Sequence, residues 1–277
     1  MKTDNFAAKI ETLKNTVANI QSTKITKLPF WADVKRGTPN SFLRSALFSA
    51  IQSKDRVWLK REILFSQQGI VIKFTGQQLN QEDLTLWEAL VHFYREQPLG
   101  DEIEFTAYRI LKLLDFCTGG IDRQRLDDGI IRLIACAVEI EYNGRKFAGS
   151  LVTNCIQNEV TKTYTLTFDK KLIQLFGEDT WTAIDWQQRL ELRCKPLAQA
   201  LHAYYSSHKT PYPVTLEFLQ QLTGSRNTQP AGFKRHVCAA LDVLVAIGFL
   251  QNYSVVDGLV NVRRMATSTA LPTCPQG

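Results

Sequence analysis

Residues 215–264 read TLEFLQQLTGSRNTQPAGFKRHVCAALDVLVAIGFLQNYSVVDGLVNVRR, and this stretch decides the fold class. Thr215 can cap a short helix that carries leucines at helical spacing, and Gly224 ends that helix. Pro230 suits the first turn of a second helix, because the N–H that proline lacks would have no partner there. The pattern therefore predicts a helix, a tight turn and a second helix.

Two strand-like runs, residues 249–256 and 259–264, follow this pair of helices. Asp257 and Gly258 stand between them, and both residue types accept the positive φ angles of a two-residue hairpin turn. A helix-turn-helix followed by a β-hairpin is the element order of a winged helix. We therefore expect a winged-helix domain in this part of the chain.

The same order of elements is indicated earlier in the chain. Thr106 can cap one helix, and Asp122 opens another after a pair of glycines. Asn143-Gly144 then lies between two strand-like runs and is a strong hairpin signal. We predict an α+β fold of two tandem winged-helix (helix-turn-helix) domains with β-hairpin wings. The expected divisions are a flexible arm at 1–27, a first domain at 28–180 and a second domain at 181–277 that ends in a short tail.

Further elements are predicted from hydrophobic spacing. We expect a short helix over residues 42–51, a strand pair over residues 62–75 and one continuous helix over residues 187–206. Asn80 can cap a long helix that has acidic residues in its first turn, where the helix dipole favours them.

Composition and charge restrict the classes of function. The 277 residues are 44% apolar and carry a net charge of +6. We find no run of eighteen apolar residues and no signal-peptide core, so we expect a cytoplasmic bacterial protein that makes no use of membranes.

The positive charge lies at the two ends of the sequence. Residues 1–60 hold 11 Lys/Arg against 4 Asp/Glu, residues 61–184 hold 13 against 18, and residues 185–277 hold 9 against 5. Phosphate neutralisation supplies much of the affinity of proteins for nucleic acid, so a polyanion would be drawn to the ends. The alternative is that the basic ends only aid solubility.

Catalytic and metal-binding patterns are not found in the sequence. The six cysteines form no CxxC pair, and we interpret them as reduced thiols that lie mostly in the core. The four histidines are far apart, and the phosphate-binding pattern GxxxxGK[ST] is missing. We expect no enzymatic activity, no cofactor and no metal, so any opening of DNA strands would be driven by binding energy.

The helix that starts at Pro230 has a face suited to reading DNA. On a helical wheel its apolar residues share one face, and Arg235 projects from a row of small residues on the other. Small neighbours let a helix approach base edges while arginine reaches guanine O6 and N7. We predict base reading by Arg235 and phosphate contact by Lys234 and Arg264. A merely solvated helix face is the alternative for Arg235 and Lys234. The other candidate DNA contacts of this domain are Arg226, Asn227, His236 and Arg263.

The first domain has weaker candidates for DNA contact. They are Arg123 and Arg125 at the start of a helix, and Arg145 and Lys146 after a hairpin turn. Neighbouring aspartates cancel much of this charge. We expect either backbone contacts to DNA or contacts to protein from this domain.

Residues 31–48 carry a resemblance to a known family. They contain Lys35-Arg36-Gly37, Pro39-Asn40 and the run from Leu43 to Phe48 (LRSALF), and a second block follows. That block comprises Phe74-Thr75-Gly76, Leu79, Asp83 and Trp87. The chain resembles the TrfA family of plasmid replication initiators over roughly residues 28–265.

This resemblance implies both ligands and partners. It implies binding to directly repeated sites, called iterons, at a plasmid origin, chiefly through the C-terminal winged helix, and opening of an adjacent A·T-rich region. Single-stranded A·T-rich DNA is then a further candidate ligand. The implied protein partners are the host initiator DnaA, the replicative helicase, the sliding clamp and a second copy of the chain, in a monomer–dimer balance that limits copy number.

A clamp-binding peptide of the form Gln-Leu-x-Leu-Phe is expected in this family. The nearest candidates are residues 27–31 (KLPFW), with Leu28, Phe30 and Trp31, and residues 173–176 (IQLF). Neither matches fully, and the favoured interpretation is that Phe30 and Trp31 pack the arm onto the first domain.

Two other functions fit parts of the sequence. A winged-helix transcriptional regulator would share the DNA-contact features but not the block at residues 31–48. A structural or adaptor protein that uses winged helices for protein contacts would suit the acidic middle of the chain.

Overall fold

The protein is described from a computed structural model, which covers residues 27–158, 160–227 and 229–265. The predicted arm at 1–27, apart from Lys27, and the tail after residue 265 lie outside these residues. The α-helices are α1 (Asn40–Leu43), α2 (Gln81–Tyr94), α3 (Ala107–Leu113), α4 (Gly120–Ile134), α5 (Trp186–Glu191), α6 (Pro196–Ser206), α7 (Leu216–Leu222) and α8 (Pro230–Ala246). Short 3-10 helices cover Ser53–Asp55 and Lys170–Phe176.

The strands alternate with these helices along the chain. They are β1 (Lys35–Pro39), β2 (Phe48–Ser49), β3 (Trp58–Leu64), β4 (Ile70–Gln77), β5 (Leu79–Asn80), β6 (Glu102–Thr106), β7 (Ala137–Tyr142), β8 (Arg145–Gly149), β9 (Asn154–Asn158), β10 (Thr163–Thr167), β11 (Trp181–Asp185), β12 (Val214–Thr215), β13 (Leu250–Val256) and β14 (Leu259–Arg264). The fold is therefore a mixture of helices and strands, as the sequence indicates.

Two three-stranded sheets of the same order define the architecture. In the C-terminal part the elements run α6, β12, α7, α8, β13, β14, and the sheet order is β12-β14-β13. Earlier in the chain α2, β6, α3 and α4 are followed by β7 and β8 and then by the β9–β10 hairpin, and the sheet order is β6-β10-β9. A helix–strand–helix–helix–hairpin arrangement thus occurs twice, with β7 and β8 inserted in its first copy.

The Asn143-Gly144 hairpin is confirmed, but it belongs to a different sheet. Asn143 and Gly144 adopt φ angles of 50° and 69°, as a tight hairpin turn requires. Strands β7 and β8 join β3 and β4 in a four-stranded sheet of order β3-β4-β7-β8. In the earlier part of the chain, the hairpin that corresponds to β13–β14 is therefore β9–β10.

The cap of α2 forms as the sequence predicts. The Asn80 side chain accepts hydrogen bonds from the N–H groups of Glu82 and Asp83, and Asp83 accepts in return from the Asn80 N–H at 3.0 Å. This capping box satisfies helix N–H groups that have no partner within the helix. Trp87, in the middle of α2, is fully buried.

Two hydrophobic cores divide the chain. The first core contains Trp87, Ile130 and Phe147, extends along the chain from Leu28 to Trp186 and includes Ala203 of α6; we call residues 28–186 the first unit. The second core contains Leu201, Val237 and Val260; we call residues 192–260, with the strand end to 264, the second unit. Strand β11 pairs with β1, and its Ile184 lies in the first core. The domain boundaries expected at 28–180 and 181–277 remain predictions.

Direct contacts join the two units. Arg44 Nε donates to Ser207 Oγ at 2.9 Å, and the rings of Phe65 and Phe218 meet edge to face with centroids 5.5 Å apart. Arg189, fully buried between the units, donates to Gln81 of α2 through both Nη atoms at 2.8 Å. A buried guanidinium needs such partners, so Arg189 fixes α5 against α2.

Two predicted helices are wrong in extent. The helix expected over 42–51 is limited to α1, because the backbone beyond it pairs with a distant segment: the Gln67 N–H donates to the Arg44 carbonyl at 2.9 Å and the Ala46 N–H to the Phe65 carbonyl at 2.8 Å. The helix expected over 187–206 is broken between α5 and α6, where Cys194 has a φ of 64°. Pro196 starts α6, since a proline inside a helix removes a hydrogen bond and clashes with the preceding turn.

The prediction that most cysteines lie in the core is also wrong for the described residues. Among them Cys136 is buried, Cys155 and Cys238 are half-buried, and Cys117 and Cys194 are exposed; all five are free thiols. Cys274 lies outside the described residues. Over the part of the chain that the structure covers, none of the helices is both long enough and apolar enough to span a membrane.

Candidate nucleic-acid interface

Helix α8 has the buried and exposed faces that its sequence predicts. Pro230 occupies its first turn, and Phe233, Val237 and Leu241 are buried in the second core. This spacing of four residues keeps one stripe of the helix against the core. The opposite face of α8 is thereby held towards solvent.

The exposed face of α8 presents cations among small residues. Lys234, Arg235 and His236 are exposed, together with Ala231 and Ala239 on either side of Arg235. Near the far end, Asp242 accepts a hydrogen bond from the Tyr253 hydroxyl at 2.7 Å, and burial together with this bond raises the pKa of Tyr253. Asp242, the acidic residue of this face, is therefore hydrogen-bonded to β13. The basic residues lie in the N-terminal half of α8.

The loop before α8 is ordered by Asn227. Its side-chain oxygen accepts from the Gln229 N–H at 3.1 Å, and its side-chain nitrogen lies 3.2 Å from His236 Nδ1. Its carbonyl accepts from the Gln220 amide. The structure thus brings the predicted residues Asn227 and His236 together, and it engages Asn227 in shaping the loop.

Arg226 turns away from α8 towards the first unit. Its Nη1 donates to the Asp55 carbonyl at 2.7 Å, and its Nη2 donates to Gln78 Oε1 at 2.6 Å. Sequence reasoning missed Asp55 and Gln78 because they lie more than 140 positions before Arg226. No local pattern signals such a distant contact.

Arg263 and Arg264, at the end of β14, differ in environment. Arg263 is exposed, whereas Arg264 Nη1 donates to the His208 carbonyl at 3.0 Å and its guanidinium stacks over Phe249 with a centroid distance of 5.1 Å. Burial lowers the pKa of Arg264. Both residues lie at the end of the hairpin opposite its Asp257-Gly258 turn, so they are not at a wing tip.

The candidates in the first unit lie in two places. Arg123 and Arg125 are exposed in the first turns of α4, where Arg125 Nη1 is 3.2 Å from Asp122 Oδ1. Arg145 and Lys146 are exposed on β8, which belongs to the four-stranded sheet. The structure therefore places the two pairs on different elements of the first unit.

The clamp-binding candidates are mostly enclosed. Leu28 and Trp31 are 6% and 3% exposed, whereas Phe30 is 87% exposed. The Trp31 ring stacks on Phe176 with centroids 6.1 Å apart, and Phe176 belongs to the second candidate, residues 173–176. Packing of the arm onto the first core therefore holds for Trp31 and not for Phe30.

The chain is similar in sequence to two plasmid or replication proteins of known name. The chain is 27% identical over 262 residues to the plasmid replication initiator protein TrfA of Escherichia coli, covering 91% of this chain and 68% of that protein. It is 24% identical over 289 residues to the replication protein RepA of Salmonella typhi, covering 98% and 80%.

Solved structures of low sequence identity share the fold. Domains 2 and 3 of RctB align with a TM-score of 0.55 at 14% identity, over 82% of this chain and 98% of that one. The Pi initiator protein, solved in complex with iteron DNA, aligns with a TM-score of 0.50 at 11% identity, over 72% and 99%. The fold is that of replication initiator domains.

The family model of the TrfA protein matches residues 2–264. The chain belongs to the TrfA family, whose members are plasmid replication initiators.

Proposed function

We propose that this protein initiates plasmid replication by binding iterons at the plasmid origin, with both units acting as winged helices and α8 as the helix that enters the major groove. The observation that carries the proposal is the exposed N-terminal half of α8, where Arg235 stands between small residues. An α-helix fits the major groove, and arginine there makes the commonest specific contact, to guanine. Lys234 on the flank would meet a phosphate.

Arg263 is the second cation that we assign to phosphate in this unit. It is exposed at the end of β14, whereas the neighbouring Arg264 is engaged with the end of α6. Phosphate contacts fix the register of a protein on the duplex and carry no sequence information of their own. Residues of α8 would therefore read the bases, and the phosphate contacts of Lys234 and Arg263 would fix the position of the protein along the duplex.

For the first unit we propose backbone contacts to the same duplex through Arg123 and Arg125. They lie at the start of α4, the helix that corresponds to α8 in the repeated arrangement. The ion pair of Arg125 with Asp122 reduces its free charge, which suits a weak contact.

Opening of an adjacent A·T-rich region and recruitment of host DnaA, helicase and clamp complete the proposed function. Family membership supports these steps, and so does the resemblance of residues 31–48. We assign no catalytic step to the chain: the energy of binding to repeated sites would drive strand opening in the bacterial cytoplasm. A balance between monomer and dimer would limit the copy number of the plasmid.

The proposal is tested on the DNA that flanks the gene. The full chain is titrated against a duplex of direct repeats from that DNA and against a shuffled duplex of equal composition. Binding to the repeats at least a thousandfold tighter is expected of a specific reader. Equal affinity for the two duplexes would refute the proposal.

Strand opening distinguishes an initiator from a transcriptional regulator. The chain is added to a supercoiled plasmid that carries the repeats beside the A·T-rich region, and unpaired thymines are mapped with permanganate. Reactive thymines confined to that region are expected of an initiator. Tight repeat binding without any reactive thymine would indicate a regulator.

A further inference from the structure

The turn that precedes α8 is held by the first unit. The Ala50 N–H donates to the Thr223 carbonyl at 2.7 Å. Gly224 has a φ of +60°, and a Cβ on it would lie 2.5 Å from Ser49 Oγ. A side chain at residue 224 would thus be strained in its backbone and would also collide with Ser49. This close approach lets the turn rest directly on residues 49–50.

Arg226, two residues after Gly224, adds a second contact between this turn and the first unit. Its two Nη atoms hold the Asp55 carbonyl at 2.7 Å and Gln78 Oε1 at 2.6 Å. One planar guanidinium therefore reaches two separate segments of the first unit. Such a fork is specific to arginine, because a lysine ammonium cannot present two parallel donors in a fixed plane.

Gln78 is held in place by hydrogen bonds of its backbone and its side chain to other residues of the first unit. Its N–H donates to the Val57 carbonyl at 2.8 Å, its carbonyl accepts from Arg56 Nη1 at 2.9 Å, and its side-chain nitrogen donates to Ser49 Oγ at 3.0 Å. The acceptor that Arg226 meets is therefore fixed by the first unit. A chain of hydrogen bonds from Ser49 through Gln78 to Arg226 links the turn to the first unit.

We propose that Arg226 is a positioning residue: it sets the angle of α8 relative to the first unit and does not neutralise a phosphate. This inference rests on the proposed function of α8 as the helix that reads the repeat. The orientation of α8 is thereby a property of both units, and residues of the first unit affect DNA affinity without touching DNA.

A double-mutant cycle in the full-length chain tests the assignment. The variants are Arg226→Ala, Gln78→Ala, the double variant and Arg226→Lys, with Lys234→Ala as the comparator for a phosphate contact. Affinity for the repeat duplex is measured at several salt concentrations, and the melting temperature of each variant is recorded. Residues in one hydrogen-bonded network are not additive, whereas distant residues are.

For a positioning role, each alanine variant weakens repeat binding about fivefold and the double variant weakens it no further. Arg226→Lys behaves like Arg226→Ala although it keeps the charge. The salt dependence stays that of the wild type, whereas Lys234→Ala lowers the slope by about one unit.

Three results would overturn the inference. They are additive losses in the double variant, wild-type affinity in Arg226→Lys, and a salt slope lowered by Arg226→Ala as it is by Lys234→Ala. A lowered melting temperature with unchanged affinity would likewise reduce Arg226 to a residue of stability alone. Failure of the wild-type chain to prefer the repeat would refute the proposed function of α8 itself, which is a separate outcome.

Discussion

Trp31 Nε1 donates a hydrogen bond to His92 Nδ1 across 3.1 Å, and this bond ties the beginning of the described chain to the end of α2. Both side chains are buried. Burial, and after it the nearby charges of Arg36 and Arg95, lowers the pKa of His92 to about 3. The imidazole is therefore neutral at pH 7, and its Nδ1 can accept the indole hydrogen.

This bond leads to a prediction about the clamp-binding candidates. Trp31→Ala should lower the free energy of unfolding by about 3–5 kcal/mol, the cost of deleting a buried aromatic ring. Phe30→Ala is the matched control, because Phe30 is 87% exposed and its loss should change stability by less than about 0.5 kcal/mol. Urea unfolding of both variants measures the difference.

A clamp pull-down with the same two variants separates packing from clamp binding. We expect Trp31→Ala to affect clamp capture only as far as it unfolds the protein. A fully folded Trp31→Ala variant that had lost clamp capture would contradict the packing role of Trp31.

His202 should make stability depend on pH. It is fully buried, its Nε2 lies 3.2 Å from Gln188 Oε1, and burial followed by the charge of Arg189 lowers its pKa from 6.5 to about 3. Between pH 6.5 and pH 3, His202 therefore binds a proton in the unfolded chain but stays neutral in the folded chain. The contribution of neutral His202 to the free energy of unfolding is complete above pH 6.5. It is lost as the pH falls towards 3, by at most about 1.4 kcal/mol per pH unit.

Replacing His202 by asparagine removes this titration. His202→Asn lowers stability at pH 7, but its unfolding free energy should fall less steeply than that of the wild type between pH 6.5 and pH 4. His92 titrates in both proteins and cancels in the comparison. Parallel pH profiles of the two proteins would show that His202 does not titrate as its burial requires.

Local chemistry made much of the fold predictable from the sequence. The caps at Asn80 and Thr215 and the hairpin turns at Asn143-Gly144 and Asp257-Gly258 depend on residues within a few positions of one another, and all four form. The break at Pro196 had an equally local signal, and the single helix predicted across it ignored that signal. The buried stripe of α8 followed from its period alone.

Long-range contacts could not be predicted in this way. The sheet that a hairpin joins depends on strands far away in the chain, as β7 and β8 show by pairing with β3 and β4. The prediction that Arg226 contacts DNA uses its neighbours in sequence alone, and these give no sign of the remote partners Asp55 and Gln78. Adjacent residues of a strand point to opposite faces, so Arg263 and Arg264 must differ, but which of the two faces meets α6 and Phe249 depends on contacts far along the chain.

The two arginines at the end of β14 should give opposite phenotypes. Arg264→Ala removes hydrogen bonds to the carbonyls of Ser206 and His208 and should lower the free energy of unfolding by about 1–3 kcal/mol. The salt dependence of DNA binding should stay unchanged in this variant. Arg263→Ala should leave stability unaltered and lower the salt slope by about one unit.

Thermal melting and gel shifts at several salt concentrations distinguish these outcomes. A lowered salt slope in Arg264→Ala with unchanged melting would mean that Arg264 leaves its intramolecular contacts to meet a phosphate on DNA.

Arg235 and Lys234 are neighbours on α8 and should differ in the kind of contact they make. Arg235 lies among small residues opposite the core, so Arg235→Ala should cost about 1–3 kcal/mol of binding and relax the preference at one base pair of the repeat. Lys234→Ala should weaken all sequences alike. The measurement is binding to a library of repeats that differ from the natural one at single base pairs. Equal loss on every member of the library for Arg235→Ala would remove Arg235 from the groove and leave α8 without its predicted base reader.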